Sequence, residues 1–175
     1  MRLEVLNPPA TEIVTLSEAK RFARMYLDLT DDDDLVSSLI RSARELVESR
    51  TARCFLATTL KETRVVPASG RLRLSRHPVK QLVSLSVDGE PVDPLPDLLT
   101  PADLVLKAGS TVEITYIAGV DDVDDVPEVA KTIVKMLASH WYGKRTPTNR
   151  DAQNAVPLHV DALCDSLRWG GSIPR

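Results

Sequence analysis

The residues of this 175-residue sequence best suited to chemistry are carboxylates in two runs, Asp31–Asp34 and Asp121, Asp122, Asp124 and Asp125. Clustered carboxylates suit hard cations, but a calcium loop of the EF-hand type alternates its ligands and needs a mid-loop glycine and a closing glutamate. Neither run has that glycine or that alternation. Both runs precede helical patterns, where capping and solvated charge are the expected roles. His77, His140 and His159 stand singly, without a second His or Cys at zinc-ligand spacing. Ser42, Ser49 and Ser166 lack the glycine-flanked strand-to-helix turn that presents a nucleophile. Cys54 falls on an apolar helix seam, which favours burial over reactivity. The seven glycines are scattered and form no phosphate-cradling loop. The sequence therefore assigns no catalytic residue, no metal ligand and no cofactor.

Composition narrows the remaining classes. Net charge is −3, against a dedicated nucleic-acid binder that neutralises many phosphates. One basic loop, Lys144, Arg145 and Arg150 after Trp141 and Tyr142, could meet phosphates, but flanking aspartates dilute it. A solvated loop or a partner's acidic patch is the preferred reading there. No apolar run has the length of a membrane span, and the N-terminus lacks the apolar core of a signal peptide. Two distant cysteines read as free thiols of an intracellular protein.

The elements that position these residues follow from periodicity. The organising stretch is Asp31–Leu56, with Leu35, Leu39, Ile40, Ala43, Leu46, Val47 and Cys54 at helical spacing. Its opposite face carries Ser38, Arg41, Arg44, Glu45, Glu48 and Ser49, suited to solvent or a polar partner. Thr15 and Glu18 have the types and offset of a capping box that opens an earlier helix, with Leu16, Ala19, Phe22, Ala23 and Tyr26 on one face. From Thr58 the period changes to two. Strands are expected around 59–66, 71–74, 79–87, 104–106 and 111–116, with Asp88-Gly89 as a hairpin turn and 104–106 returning through Ala108–Ser110 into 111–116. Pro127 marks a third helix with Val129, Ile133, Met136, Leu137, His140 and Trp141 on one face. The expected organisation is an extended N-terminal arm (1–14), one α+β domain (15–143) and a linker with a C-terminal docking segment (144–175). Within the domain, helices are expected at about 15–27, 33–55 and 126–142, and a β insertion at about 58–118.

The order of these pieces resembles the head–tail connector (head-completion or adaptor) proteins of long-tailed bacteriophages, prophages and gene transfer agents. The resemblance rests on Leu16-Ser17-Glu18-Ala19-Lys20, on Asp34 through Glu48 followed by Thr51-Ala52-Arg53, and on His77-Pro78-Val79 running to Asp88-Gly89. It continues through Val112–Gly119, Val126-Pro127-Glu128 to His140-Trp141-Tyr142, and Val160-Asp161-Ala162-Leu163. It lies in order and spacing, since each motif alone is generic. Two departures stand out. Ala52 replaces the usual glycine after the long helix, and the proline-rich 93–101 loop lengthens the sheet region. The likeness implies an α+β, mainly helical fold: a small helical bundle with an inserted antiparallel β-sheet region and an extended C-terminal arm. It also implies a structural virion protein without enzymatic activity, located at the head–tail junction and assembled in the host cytoplasm. Its partners would be copies of itself in a ring, a dodecamer in the particle, the portal protein, the next head- or tail-completion protein, and DNA passing without sequence-specific binding. On that reading Arg41, Arg44, Glu45 and Glu48 are the candidate subunit contact. Val156, Leu158, Val160, Leu163, Leu167 and Trp169 are the candidate portal-docking arm. A DNA-packaging module that binds nucleic acid is the alternative.

Overall fold

The computed structural model describes residues 2–93, 95, 103–143 and 158–168. The chain is α+β: the described residues form four α-helices, a five-stranded antiparallel sheet and a separate two-stranded one. They fall into two compact units. One comprises residues up to Ala10 together with Ala52–Asp125; the other comprises Thr11–Thr51 and the chain from Val126 onward.

The first unit holds strands β1 (Arg2–Asn7), β2 (Thr58–Val65), β3 (Arg71–Arg73), β4 (Val79–Val87), β5 (Glu90–Pro91), β6 (Asp103–Val105) and β7 (Thr111–Ala118). The large sheet has the order β1-β2-β7-β4-β5. Strand β7 shows why: Val112, Ile114, Tyr116 and Ala118 are buried, while Thr111 and Glu113 are exposed. This two-residue period turns one face to a core shared with Leu60, Leu72, Leu74, Leu85 and Leu104. Asp88 (φ 53°) and Gly89 (φ 89°) make the expected hairpin turn, whose positive φ values match the strand twist.

One expectation changes here. Residues 104–106 do not return along 111–116. Strand β6 pairs with β3 instead, placing the fully buried Leu72 and Leu104 opposite each other. The backbone between them and β7 is held toward residues 66–70, by Leu106 N–H to the Gly70 carbonyl (2.9 Å) and Gly109 N–H to the Val66 carbonyl (3.0 Å). Within the expected N-terminal arm, Arg2–Asn7 form the edge strand β1, with Val5 opposite Leu60. Ile13 and Val14 are buried.

The second unit contains α1 (Leu16–Phe22), α2 (Asp33–Thr51), α3 (Glu128–Gly143) and α4 (Leu158–Leu167). Helix α2 packs on α1 and α3, and α4 packs on α2 and α3. The capping box is present at α1, with Glu18 N–H donating to Thr15 Oγ1 and Thr15 N–H to Glu18 Oε2. Helix α1 stops well before residue 27, because Arg24 takes a left-handed φ of 57°. Helix α2 stops before residue 55 for the same reason, at Ala52 with φ 56°. Alanine thus does what glycine usually does after a helix.

Both helical faces are rotated from their sequence expectation. In α2 the buried residues are Val36, Ile40, Ala43, Arg44, Val47, Glu48 and Thr51, while Leu35 is exposed. In α3 they are Ala130, Ile133, Val134, Leu137 and Ala138, with Val129 exposed and Met136, His140 and Trp141 half-buried. Small residues permit close helix approach, so Ala130 and Ala138 take positions that a hydrophobicity scale gives to larger side chains. Phe22, expected in the core, is half exposed.

Candidate interaction surface

One connected charged group in the helical unit starts from α2. Arg44 Nε donates to Glu12 Oε2 at 2.7 Å, and Arg44 Nη1 to Glu48 Oε2 at 2.6 Å, one helical turn along. Arg44 is 5% exposed and Glu48 8%. Burial disfavours the Arg44 charge, but hydrogen bonds and charge from Glu12 and Glu48 outweigh it and hold the guanidinium above its ordinary range. Arg41 and Glu45, by contrast, have exposed side chains, each 3.7 Å from this cluster through Glu12 and Arg44 respectively. The four residues expected on one open face therefore divide. Arg44 and Glu48 tie α2 to residue 12, and Arg41 and Glu45 remain available at the surface. Apolar periodicity could not find Glu12, which lies 32 residues from its partner.

The C-terminal candidates divide as well. Val160 and Leu167 are buried with Cys164 on one face of α4, and Leu163 is half-buried. Leu158 opens α4, while Val156, Trp169 and the basic stretch Lys144–Arg150 lie outside the described residues. The end of α2 holds the helix: Arg50 pairs with Asp161, and Arg168 Nε donates to the Arg50 carbonyl at 3.3 Å. Burial raises the Cys164 thiol pKa, so the free thiol stays protonated at neutral pH.

Periodicity also missed an apolar surface between α1 and α2. Phe22, Tyr26, Leu27, Leu29 and Leu35 are exposed within 14 residues, Tyr26 at 76%. Tyr26 and Leu29, with Met25, Asp31, Asp32 and Tyr142, line a groove of about 160 Å³. Tyr142 Oη donates to Asp32 Oδ2 at 2.5 Å, joining the end of α3 to the start of α2. Buried Lys20 shapes the loop: its ammonium donates to the Leu29 carbonyl at 2.6 Å and pairs with Asp33. The readable signal was three apolar side chains, Tyr26, Leu27 and Leu29, in a segment that breaks the helical pattern.

In the sheet unit, Glu62 occupies an inward position of β2 and is fully buried. It accepts from Tyr116 Oη (3.1 Å), Ser75 N–H (3.1 Å) and Ser75 Oγ (2.8 Å), and pairs with Arg64 at 2.8 Å. Burial first, and then the Glu62 charge, push the Tyr116 hydroxyl far above its ordinary range. This enclosed carboxylate cross-links strands and offers no open acceptor position. Desolvation, reinforced by Arg73, lowers the His77 pKa and favours its neutral form. Among the described residues, no three His, Cys, Asp or Glu side chains group as metal ligands, and no helix is long and apolar enough to cross a membrane.

The geometry offers surfaces for binding: an acidic-rimmed apolar groove, the exposed side chains of Arg41 and Glu45, and a helix with one buried face. No family model and no curated protein matches this sequence. Solved structures do match, end to end. A chain from the neck of an empty GTA particle, computed with C6 symmetry, superposes with a TM-score of 0.72 at 24% identity, covering 98% of this chain and 99% of that one. A chain from the virion of the native gene transfer agent (GTA) particle gives 0.72 at 22%, with the same coverage. One from the neck of the native GTA particle, computed with C12 symmetry, gives 0.69 at 22%, again with that coverage. At such identities the likeness is one of fold: both units of this chain, in their order, have counterparts in a chain of gene transfer agent particles.

Proposed function

We propose that this chain is a structural virion protein, a ring-forming connector that joins the portal of a DNA-filled head to the tail and lines the DNA channel. The observation that carries the reading is the end-to-end fold likeness to chains of neck structures computed with C6 and C12 symmetry. Ring closure requires two different lateral surfaces, because a heterologous contact closes only when front meets back. Arg41 and Glu45 are the exposed candidates for one of them, with Arg44 and Glu48 holding α2 from within. A net charge of −3 suits a channel wall past which a duplex slides without being gripped. The C-terminal docking segment spans Val156 to Trp169. In it Val160 and Leu167 fasten α4 to its own unit, and Val156, Leu158, Leu163 and Trp169 are the contacts proposed for the portal or a neighbouring subunit.

Native mass spectrometry and negative-stain microscopy of the full chain, with and without a portal ring, test this reading. Closed rings, free or on the portal, are the expected result. A strict monomer in both conditions, or tight salt-dependent duplex binding by the monomer, would overturn it.

A further inference from the structure

We propose that the two-stranded ribbon β3–β6 of one copy docks in the groove at Tyr26 and Leu29 of a second copy, with Val105 as its anchor. This names a subunit contact within the ring reading and rests on it. The ribbon pairs Arg71 with Val105, Leu72 with Leu104 and Arg73 with Asp103. Residues opposite each other on two strands share a face, and the faces alternate along each strand. Leu72 and Leu104 are fully buried, so Arg71, Val105, Arg73 and Asp103 form the outward face. Arg73 and Asp103 pair there at 3.5 Å. Arg71 is exposed and makes no ion pair among the described residues. Val105 beside it is 61% exposed. The ribbon thus presents an apolar side chain next to a free cation, fixed from behind by a buried leucine pair.

The groove has the complementary parts. Met25, Tyr26, Leu29 and Tyr142 supply apolar lining, and Asp31 and Asp32 stand with them. Asp32 accepts from Tyr142, and Asp33 pairs with buried Lys20. Asp31 is exposed and makes no ion pair among the described residues. From Lys20 to Asp34 the chain carries five aspartates against three cations, Lys20, Arg21 and Arg24, so the local field favours an incoming arginine. Cross-strand neighbours have Cβ atoms about 5 Å apart. Val105 and Arg71 can therefore meet Leu29 and Asp31 together, two residues apart in the groove lining. Both surfaces stand open in the single chain, as the exposure of Val105 and Tyr26 shows. They are different surfaces, so their contact is heterologous, the kind that the rotation of a ring repeats from copy to copy.

Cysteine pairing and charge reversal test the contact in the full-length protein. Copies carrying Tyr26→Cys are mixed with copies carrying Val105→Cys and oxidised under assembling conditions, free or on a portal ring. A disulfide-linked heterodimer is expected, absent when either variant is oxidised alone. Arg71→Glu should weaken self-association about tenfold and leave the denaturation midpoint unchanged, because the side chain is exposed. Asp31→Arg combined with Arg71→Glu in one chain should restore the affinity, a rescue that paired charges give and unrelated sites do not. Rings without the heterodimer, with Arg71→Glu assembling normally, would overturn the contact and leave the connector reading standing. An intramolecular disulfide in a monomeric Tyr26→Cys/Val105→Cys chain would also overturn it. Failure of the unmodified chain to assemble, even on the portal, would remove both readings.

Discussion

Arg44 and Glu12 meet 2.7 Å apart across 32 residues of sequence, and the contact turns a helix face that looks solvated into part of the interior. Arg44→Ala removes the buried guanidinium that Glu12 and Glu48 share. The expected loss is about 3–5 kcal/mol, as for other broken buried pairs. Arg41→Ala, on the same helix but exposed, should change stability by less than about 0.5 kcal/mol. Urea denaturation of the two variants separates them, and equal losses would contradict the division between them.

Acid should loosen the start of α1. Glu18 has its pKa held below the ordinary 4.5, first by the hydrogen bond from the Thr15 hydroxyl and then by the Thr15 backbone N–H. The folded chain therefore binds fewer protons at this site than the unfolded chain. Its contribution is present above the ordinary carboxylate range and is lost as pH falls through the depressed value. Thr15→Val removes the cap, costs about 1 kcal/mol at neutral pH, and should flatten the stability profile below pH ~4.5. Parallel profiles for the two proteins would sink this assignment.

Two backbone positions should respond in opposite directions. Ala52 sits at φ 56°, where an L-residue is strained by about 1–2 kcal/mol. Ala52→Gly relieves that strain against an unfolded-state entropy cost of about 0.5–1 kcal/mol, so a net gain near 0.5–1 kcal/mol is expected. At Gly119 (φ 107°) an added Cβ would lie 2.2 Å from the Leu56 carbonyl oxygen. Gly119→Ala should therefore cost about 3 kcal/mol or more. Denaturant midpoints, read with unchanged slopes, check both.

Lys20 should matter to the groove more than to the helix that carries it. Its side chain is 3% exposed, and its ammonium holds the Leu29 carbonyl and Asp33. Lys20→Met keeps the side-chain volume and removes the donor, at a cost of about 1.5–3 kcal/mol for a charged hydrogen bond. Amide exchange should accelerate at Met25 and Asp33, whose N–H groups close the loop onto Lys20 and Thr30. Unchanged exchange there would show that the loop holds itself.

Much of the fold was legible because it is local. The capping box at Thr15 and Glu18, the turn at Asp88-Gly89 and the alternation of Val112, Ile114 and Tyr116 each depend on residues a few positions apart. The periods of 3.6 and 2 are properties of the backbone itself, so the sequence by itself determined an α+β chain and the approximate place of its long helices. It did not determine which way each helix turns its face. Arg44 and Glu48 are buried because Glu12 and the geometry of α2 neutralise and enclose them, and hydrophobicity ranks both among surface residues. Nor did it determine that β6 pairs with β3, since neighbouring strands usually pair and only the opposed burial of Leu72 and Leu104 reverses that expectation. The groove beneath Tyr26 and Tyr142 depends on the fold in the same way. Its walls are 116 residues apart, and distant side chains converge only when packing closes the loops between them.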